Sequence, residues 1–136
     1  MSFTILIADD SPFIRNALCN VFEREEDFDV CGDAENGREA LEKAQELHPD
    51  LILLDLSMPM MNGLDATRVL KRMMPEVPIM FSAYRGSGTE KEARTAGAFA
   101  LVSKFEHISV LLGKARHALE PRQLRDLRPL SARSRW

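Results

Sequence analysis

The sequence is poor in cysteine, with only Cys19 and Cys31. The pair fits no metal-ligand spacing and makes no disulfide framework. Both read as small buried hydrophobes in a reducing compartment. Long apolar runs are missing too, and none approaches the ~20 residues of a membrane span. The opening Met1-Ser2-Phe3-Thr4-Ile5-Leu6-Ile7 has no basic stretch, and its apolar run is too short for a signal peptide. The expected location is therefore the cytoplasm. An excess of charge of either sign is also missing. Eighteen Lys and Arg stand against 21 Asp and Glu, a net charge of −3. Neither nucleic acid nor an anionic membrane is favoured as the main partner by that balance. What is present is the composition of a soluble globular protein, 45% hydrophobic and 29% charged over 136 residues. That length suits one domain with a core that needs no staples.

The chain is organised around Leu51-Ile52-Leu53-Leu54-Asp55. Four large apolar residues in a row suit a strand buried on both faces of a parallel sheet. The strand then meets a carboxylate, and Met58-Pro59 and Asn62-Gly63 mark a loop after it. Taken alone, Asp55 is a helix cap, a turn residue or a reactive group.

The same alternation runs along the chain. Thr4 to Ala8 reads as strand one, ended by Asp9-Asp10-Ser11-Pro12, with Ser11 as a helix cap. Ile14, Leu18, Val21 and Phe22 give helix one, to about Glu25. Phe28 to Ala34 is strand two, followed by an Asn36-Gly37 turn. Ala40, Leu41, Ala44 and Leu47 make helix two, stopped by His48-Pro49. Helix three spans Leu64 to Met74, with Leu70 and Met73 towards the core. Strand four is Pro78 to Ser82. A Gly86-Ser87-Gly88 loop leads to helix four, Thr89 to Ala96. Strand five is Ala100 to Val102. Helix five runs from about Glu106 to Leu119, with Ile108, Leu111, Leu112, Ala115 and Leu119 on one face.

Five βα units in succession mean an α/β domain with parallel strands and helices on both faces. The common strand order for five is 2-1-3-4-5, whose switch point lies between strands one and three. That order brings Asp9 and Asp10 beside Asp55. Unit charges about 4 Å apart repel by roughly 4 kcal/mol at an effective dielectric near 20. A divalent cation relieves that repulsion, and hard oxygen ligands suit Mg²⁺. Ser82 and Lys104 end strands four and five on the same edge. Singly, Ser82 is a cap or turn residue and Lys104 a solvated end charge. Together with the acids they supply what phosphoryl transfer needs: a nucleophile, a metal site and fixed positive charge.

Asp9-Asp10, Asp55 with Met58-Pro59 and Gly63, Ser82-Ala83 and Lys104 give the chain a clear family look over about residues 3–119. It resembles a bacterial two-component response-regulator receiver domain. The stretch Asp50 to Ala66 resembles receivers that usually carry a C-terminal helix-turn-helix. The resemblance implies a flavodoxin-like (βα)5 fold and a phosphorylation-driven switch rather than an enzyme acting on other substrates. It implies that Asp55 is the phosphoacceptor, loaded from a histidine kinase or histidine phosphotransfer protein. Mg²⁺ is expected on Asp10, Asp55 and the backbone carbonyl of Ser57, with Asp9 acting through water. Lys104, Ser82 and the backbone N–H of Ala83 are expected to stabilise the phosphoryl group. Ser82 also carries the signal, towards a downstream protein target or a second copy of the chain. Ser57 and Tyr84 lie where the family tunes the lifetime of the acyl phosphate.

Two positions depart from the family pattern. Three residues before the lysine an aromatic is usual, and here Leu101 stands there. After the lysine a proline is common, and here it is Phe105. A haloacid-dehalogenase phosphatase also uses an Asp nucleophile, but it wants a second Asp where this chain has Ser57. His48, His107 and His117 show no ligand spacing and read as surface residues. The expected domain is 1–120, followed by a basic tail over 121–136. Leu124, Leu127 and Leu130 suit at most a short amphipathic turn there. About seventeen residues follow helix five, too few for a DNA-binding output domain.

Overall fold

The apolar runs of the sequence become five strands: β1 (Phe3–Ala8), β2 (Phe28–Ala34), β3 (Leu51–Asp55), β4 (Ile79–Ala83) and β5 (Ala100–Ser103). Between and after them lie α1 (Pro12–Glu23), α2 (Gly37–Leu47), α3 (Gly63–Met73), α4 (Glu90–Ala96) and α5 (Ile108–Ala118). The structure, a computed structural model, describes residues 2–83, 90–104 and 106–122. The strands are all parallel, in the order β2-β1-β3-β4-β5. This is the flavodoxin-like arrangement that the alternation predicts.

The period of two along each strand divides the interior into two cores. Ile5, Ile7, Leu51, Leu53 and Met80 pack with Phe22 of α1 and Leu111, Leu112 and Ala115 of α5. Leu6, Ile52, Leu54, Ile79 and Phe81 pack on the other face with Ala40 and Ala44 of α2, Leu70 of α3 and Ala93 of α4. All five residues of β3 are buried because the strand is central and covered on both sides.

Helix starts follow local chemistry. Ser11 accepts from the Ile14 amide, and Pro12 takes the first helical position. Asn36 caps α2 through the Glu39 amide, and Asn62 caps α3 through the Asp65 amide. Element ends differ from the sequence reading by a residue or two, as fraying helix ends do.

Three expectations need correction. Met73 is 38% exposed and Ile108 is 53% exposed, so neither joins a core. Met73 is the last residue of α3 and Ile108 the first of α5, and helical spacing carries on to both ends of a helix while contact with the sheet does not. Cys19 and Cys31 are only half-buried. Cys31 lies on β2, an edge strand, and its thiol donates to the Ile5 carbonyl at 3.4 Å.

At the opposite end of the sheet from the strand C-termini, Arg122 pairs with Asp50. Asp50 also accepts from the Thr4 amide at 2.8 Å. The chain therefore still rests on the sheet at residue 122, inside the stretch expected to be tail. Residues 123–136, with Leu124, Leu127 and Leu130, lie outside the described residues.

Candidate functional site

Strand register builds the site. β1 pairs with β3 through Ala8 and Leu54, so the next residues, Asp9 and Asp55, come side by side. Across β4, Ser82 stands opposite Asp55. β4 pairs with β5 through Ala83 and Ser103, and Lys104 follows at once. Its amide donates to the Ala83 carbonyl at 2.8 Å. Every one of these residues sits at the carboxyl ends of the strands, at the switch point of the sheet.

The Lys104 ammonium lies 3.1 Å from Asp9 Oδ2 and 3.1 Å from Asp55 Oδ2. Asp9 is wholly buried, Asp55 is 2% exposed, and Ser82 is buried beside them. The other carboxylate oxygens are tied to backbone. Asp9 Oδ1 accepts from the Ser11 amide at 2.9 Å and Asp55 Oδ1 from the Ser57 amide at 3.2 Å. The two Oδ2 atoms rest on Lys104, and the buried Ser82 Oγ has no hydrogen-bond partner among the described residues. Asp10 is exposed at the rim. Carboxylate oxygens of Asp9, Asp10 and Asp55 all lie within 4.8 Å of one another.

Burial pushes the Asp55 carboxyl up to about 6, against the hydrogen bond and charge of Lys104, with the Asp9 charge adding to the rise. Burial works against the charge of Lys104, but its bonds and charge pairing with Asp55 and then Asp9 outweigh that and raise its pKa. Asp55 thus binds its proton more tightly folded, at about 6, than unfolded, at 3.8. Its contribution to stability is most favourable below the unfolded value. It declines as pH rises, and above the folded value the cost is at most about 3 kcal/mol. Asp55→Asn removes that cost and leaves the Asp9–Lys104 pair intact. In EDTA at pH 7.5 the variant is expected to melt above the parent, and the gap to close towards pH 4. Asp10→Asn, at an exposed position, is expected to move the midpoint less. A metal-free Asp55→Asn that melts below the parent at pH 7.5 contradicts this account.

The loop after β3 closes tightly over the strand end. The Gly63 amide donates to the Leu56 carbonyl at 3.0 Å. A Cβ on Gly63 would come within 2.5 Å of the Asp55 carbonyl oxygen, so only glycine lets the loop pass this near the site. An open cleft of about 560 Å³ lies alongside, lined by Asp10, Ser57, Met58 and Asn62 among others.

One contributor escapes a reading of strand ends. Arg15, in the first turn of α1, donates from Nη1 to the Asp9 carbonyl at 2.7 Å and from Nε to Asp33 Oδ2 at 3.0 Å. Its only trace in the sequence is its place four residues after the cap Ser11, one helical turn above the loop. The three histidines are exposed, as expected. His107 caps α5, and His117 pairs with Glu120 at 3.2 Å. Tyr84, the Gly86–Gly88 loop and Phe105 lie outside the described residues.

The model of the family described as response regulator receiver domain matches residues 5–116. The chain belongs to the response-regulator receiver family. It is 38% identical over 125 residues to a protein-glutamate methylesterase/protein-glutamine glutaminase of Hahella chejuensis, across 90% of this chain and 32% of that protein. It is also 38% identical over 95 residues to the transcriptional regulatory protein LnrK of Bacillus subtilis, across 69% of this chain and 43% of that one. The receiver thus spans about a third of the first relative and under half of the second. Among solved structures, it is similar to the response regulator domain of Thermotoga maritima CheB. The TM-score is 0.80 with 28% identity, covering 95% of this chain and 100% of that one. A LuxR-family response regulator from Aurantimonas gives 0.82 and 27%, covering 88% and 86%. The likeness therefore extends both to a transcriptional regulatory protein and to methylesterases.

The receiver is a signalling domain of two-component systems. Receivers bind Mg²⁺ at an acidic pocket, and the residues here fit that ion. Hard oxygens converge from Asp9, Asp10 and Asp55, and the two buried Oδ2 atoms share a single lysine that offsets only part of the charge. Among the described residues no helix is long and apolar enough to cross a membrane.

Proposed function

We propose that this receiver takes a phosphoryl group on Asp55 from a histidine kinase or a histidine phosphotransfer protein and then changes the surface it offers a downstream protein. The observation that carries the reading is the setting of Asp55. It is buried at the end of the central strand, 3.1 Å from an ammonium and opposite a serine whose hydroxyl has no hydrogen-bond partner among the described residues. A carboxylate oxygen of Asp55 attacks the phosphorus of a phosphohistidine. The P–N bond breaks, its electron pair stays with the imidazole, and the ring takes a proton. The chain acts on its own phosphoryl group and on no other substrate.

Asp10, Asp55 and the Ser57 carbonyl would hold Mg²⁺, with Asp9 acting through water. When bound, the ion supplies positive charge against the phosphoryl oxygens. The burial of Asp9 and its bonds to Ser11 and Lys104 suit such an outer position. Lys104 sits close enough to pass from the free carboxylate to the phosphoryl group as a point charge. The Ser82 hydroxyl has a donor to offer, and the Ala83 N–H is the backbone donor beside it. The setting is cytoplasmic. Transfer of a phosphoryl label from a phosphorylated kinase, dependent on Mg²⁺ and lost in Asp55→Asn, tests the reading. Label that persists in that variant overturns it.

Leu101 weakens the output side of this switch. It is half-buried on β5 against the core beneath α4, and a groove of about 530 Å³ opens beside it between Phe99, Val110 and Lys114. An aromatic ring here would bury very different areas inward and outward. Leucine buries less, and a difference of some tens of Å² is worth only about 1 kcal/mol. That shifts a two-state population about fivefold, short of full conversion. A beryllofluoride mimic is therefore expected to move amide shifts around Ser82 strongly and those of α4 and α5 weakly. Leu101→Tyr is expected to enlarge the α4 and α5 response. Large shifts across both helices in the parent chain contradict this.

A further inference from the structure

We infer that Arg15 is a positioning residue for the Asp9–Asp10 corner, setting the direction in which Asp10 offers its carboxylate to Mg²⁺. The inference rests on the reading of Asp10 and Asp55 as metal ligands. Asp10 is exposed, and its side chain makes no hydrogen bond or ion pair with any described residue. Nothing at its own side chain aims it. Its direction is set by the residue before it, Asp9. Besides the ion pair of its carboxylate with Lys104, Asp9 is held by three hydrogen bonds. The Asp9 amide donates to the Ala34 carbonyl at 3.0 Å. The Asp9 carboxylate accepts from the Ser11 amide at 2.9 Å. The Asp9 carbonyl accepts from Arg15 Nη1 at 2.7 Å.

The last bond matters most for Asp10. The Asp9 carbonyl lies in the planar peptide that links Asp9 to Asp10, so fixing its oxygen fixes the plane from which the Asp10 Cα projects. Arg15 is itself anchored. Its Nε donates to Asp33 Oδ2 at 3.0 Å, its side chain is 15% exposed, and Lys43 of α2 donates to the Asp33 carbonyl. The end of β2 therefore braces the corner twice, once through Ala34 and once through Asp33 and Arg15. A planar guanidinium reaches both acceptors with fixed geometry, whereas a lysine offers one compact charge.

Charge alone predicts the opposite sign. A cation beside an acid cluster opposes a second cation, so deleting Arg15 for its charge would tighten Mg²⁺ binding. Deleting it as an orienting group weakens binding, and groups that orient metal ligands are typically worth about 10–100-fold in affinity. A purely structural role lowers the melting midpoint and leaves the affinity of the folded protein unchanged.

The test is calorimetric titration of Mg²⁺ into the folded parent, Arg15→Ala, Arg15→Lys and Asp10→Asn, with circular dichroism to confirm the folded state. Arg15→Ala is expected to bind Mg²⁺ about tenfold more weakly than the parent. Arg15→Lys keeps the charge and is expected to fall between the two. It carries the test alone if Arg15→Ala does not fold. Arg15 variants that bind as tightly as the parent, or more tightly, overturn the inference while Asp10→Asn still binds weakly. A parent that takes up no Mg²⁺, or an Asp10→Asn that binds as the parent does, overturns the metal reading and the inference with it.

Discussion

Incubated with acetyl phosphate and Mg²⁺, the chain is expected to gain one phosphoryl group, and Asp55→Asn none. The loss is expected to be complete because no other carboxylate among the described residues has the same setting. Asp9 is as deeply buried and shares Lys104, but it follows β1, which does not neighbour β4 and Ser82, and its carbonyl is held by Arg15. Asp10 has room but lies at the rim, away from the contacts that Lys104 makes with Asp9 and Asp55. Asp55 alone combines the central strand end, the lysine and the opposed Ser82. Intact mass checks the adduct count in both proteins, with and without EDTA. The adduct is expected to vanish in EDTA, since the phosphoryl charge then meets three carboxylates and a single lysine. An adduct of equal yield in Asp55→Asn means that another residue is the acceptor.

Lys104→Ala is expected to cost the metal-free protein about 3–5 kcal/mol, the usual result of removing one partner from a buried ion pair. The side chain is 5% exposed and touches two carboxylates whose Oδ2 atoms rest on it. Without it, Asp9 and Asp55 face each other across the strand ends with no cation between them. That is a large part of the 5–15 kcal/mol typical of a domain. The loss depends on pH. With Lys104 gone the Asp55 pKa rises further above its unfolded value, so the folded state takes up a proton as pH falls. The deficit is therefore expected to be largest near pH 8 and smaller near pH 5. Mg²⁺ replaces the missing charge, so saturating Mg²⁺ is expected to stabilise Lys104→Ala more than the parent. Urea unfolding with EDTA and with Mg²⁺ measures both. A metal-free loss under about 1 kcal/mol, within the range of ordinary surface changes, contradicts the pairing.

Much of this site was legible in the sequence because its parts sit where strands end. The run Leu51–Leu54 marks a central strand, and the first polar residue after it must lie on the sheet edge. The same logic places Asp9, Ser82 and Lys104, and the usual strand order brings them together. What sequence does not carry is how the ends differ from each other. Asp9 and Asp10 are neighbours of one chemical type, yet one is wholly buried and the other exposed. Only the backbone path out of β1 separates them. Arg15 was silent for a related reason. Its partner Asp33 comes within reach through the β1–β2 register, which slips between Ile5 and Leu6 before Ala8 meets Ala34. A slip of that kind leaves no mark in the hydrophobic pattern. Arg122 is one of several arginines near the chain end, and nothing local selects it for Asp50. Met73, the last residue of α3, and Ile108, the first of α5, mislead because helical spacing extends beyond the stretch of each helix that touches the sheet.

Borohydride trapping tests the central claim most directly. The acyl phosphate of an aspartate is reduced to homoserine, which marks the acceptor in the chain itself. After treatment with acetyl phosphate, Mg²⁺ and borohydride, peptide mapping is predicted to find homoserine at position 55. Homoserine at Asp9 or Asp10, or at no aspartate while the intact protein still carries the adduct, would contradict the account.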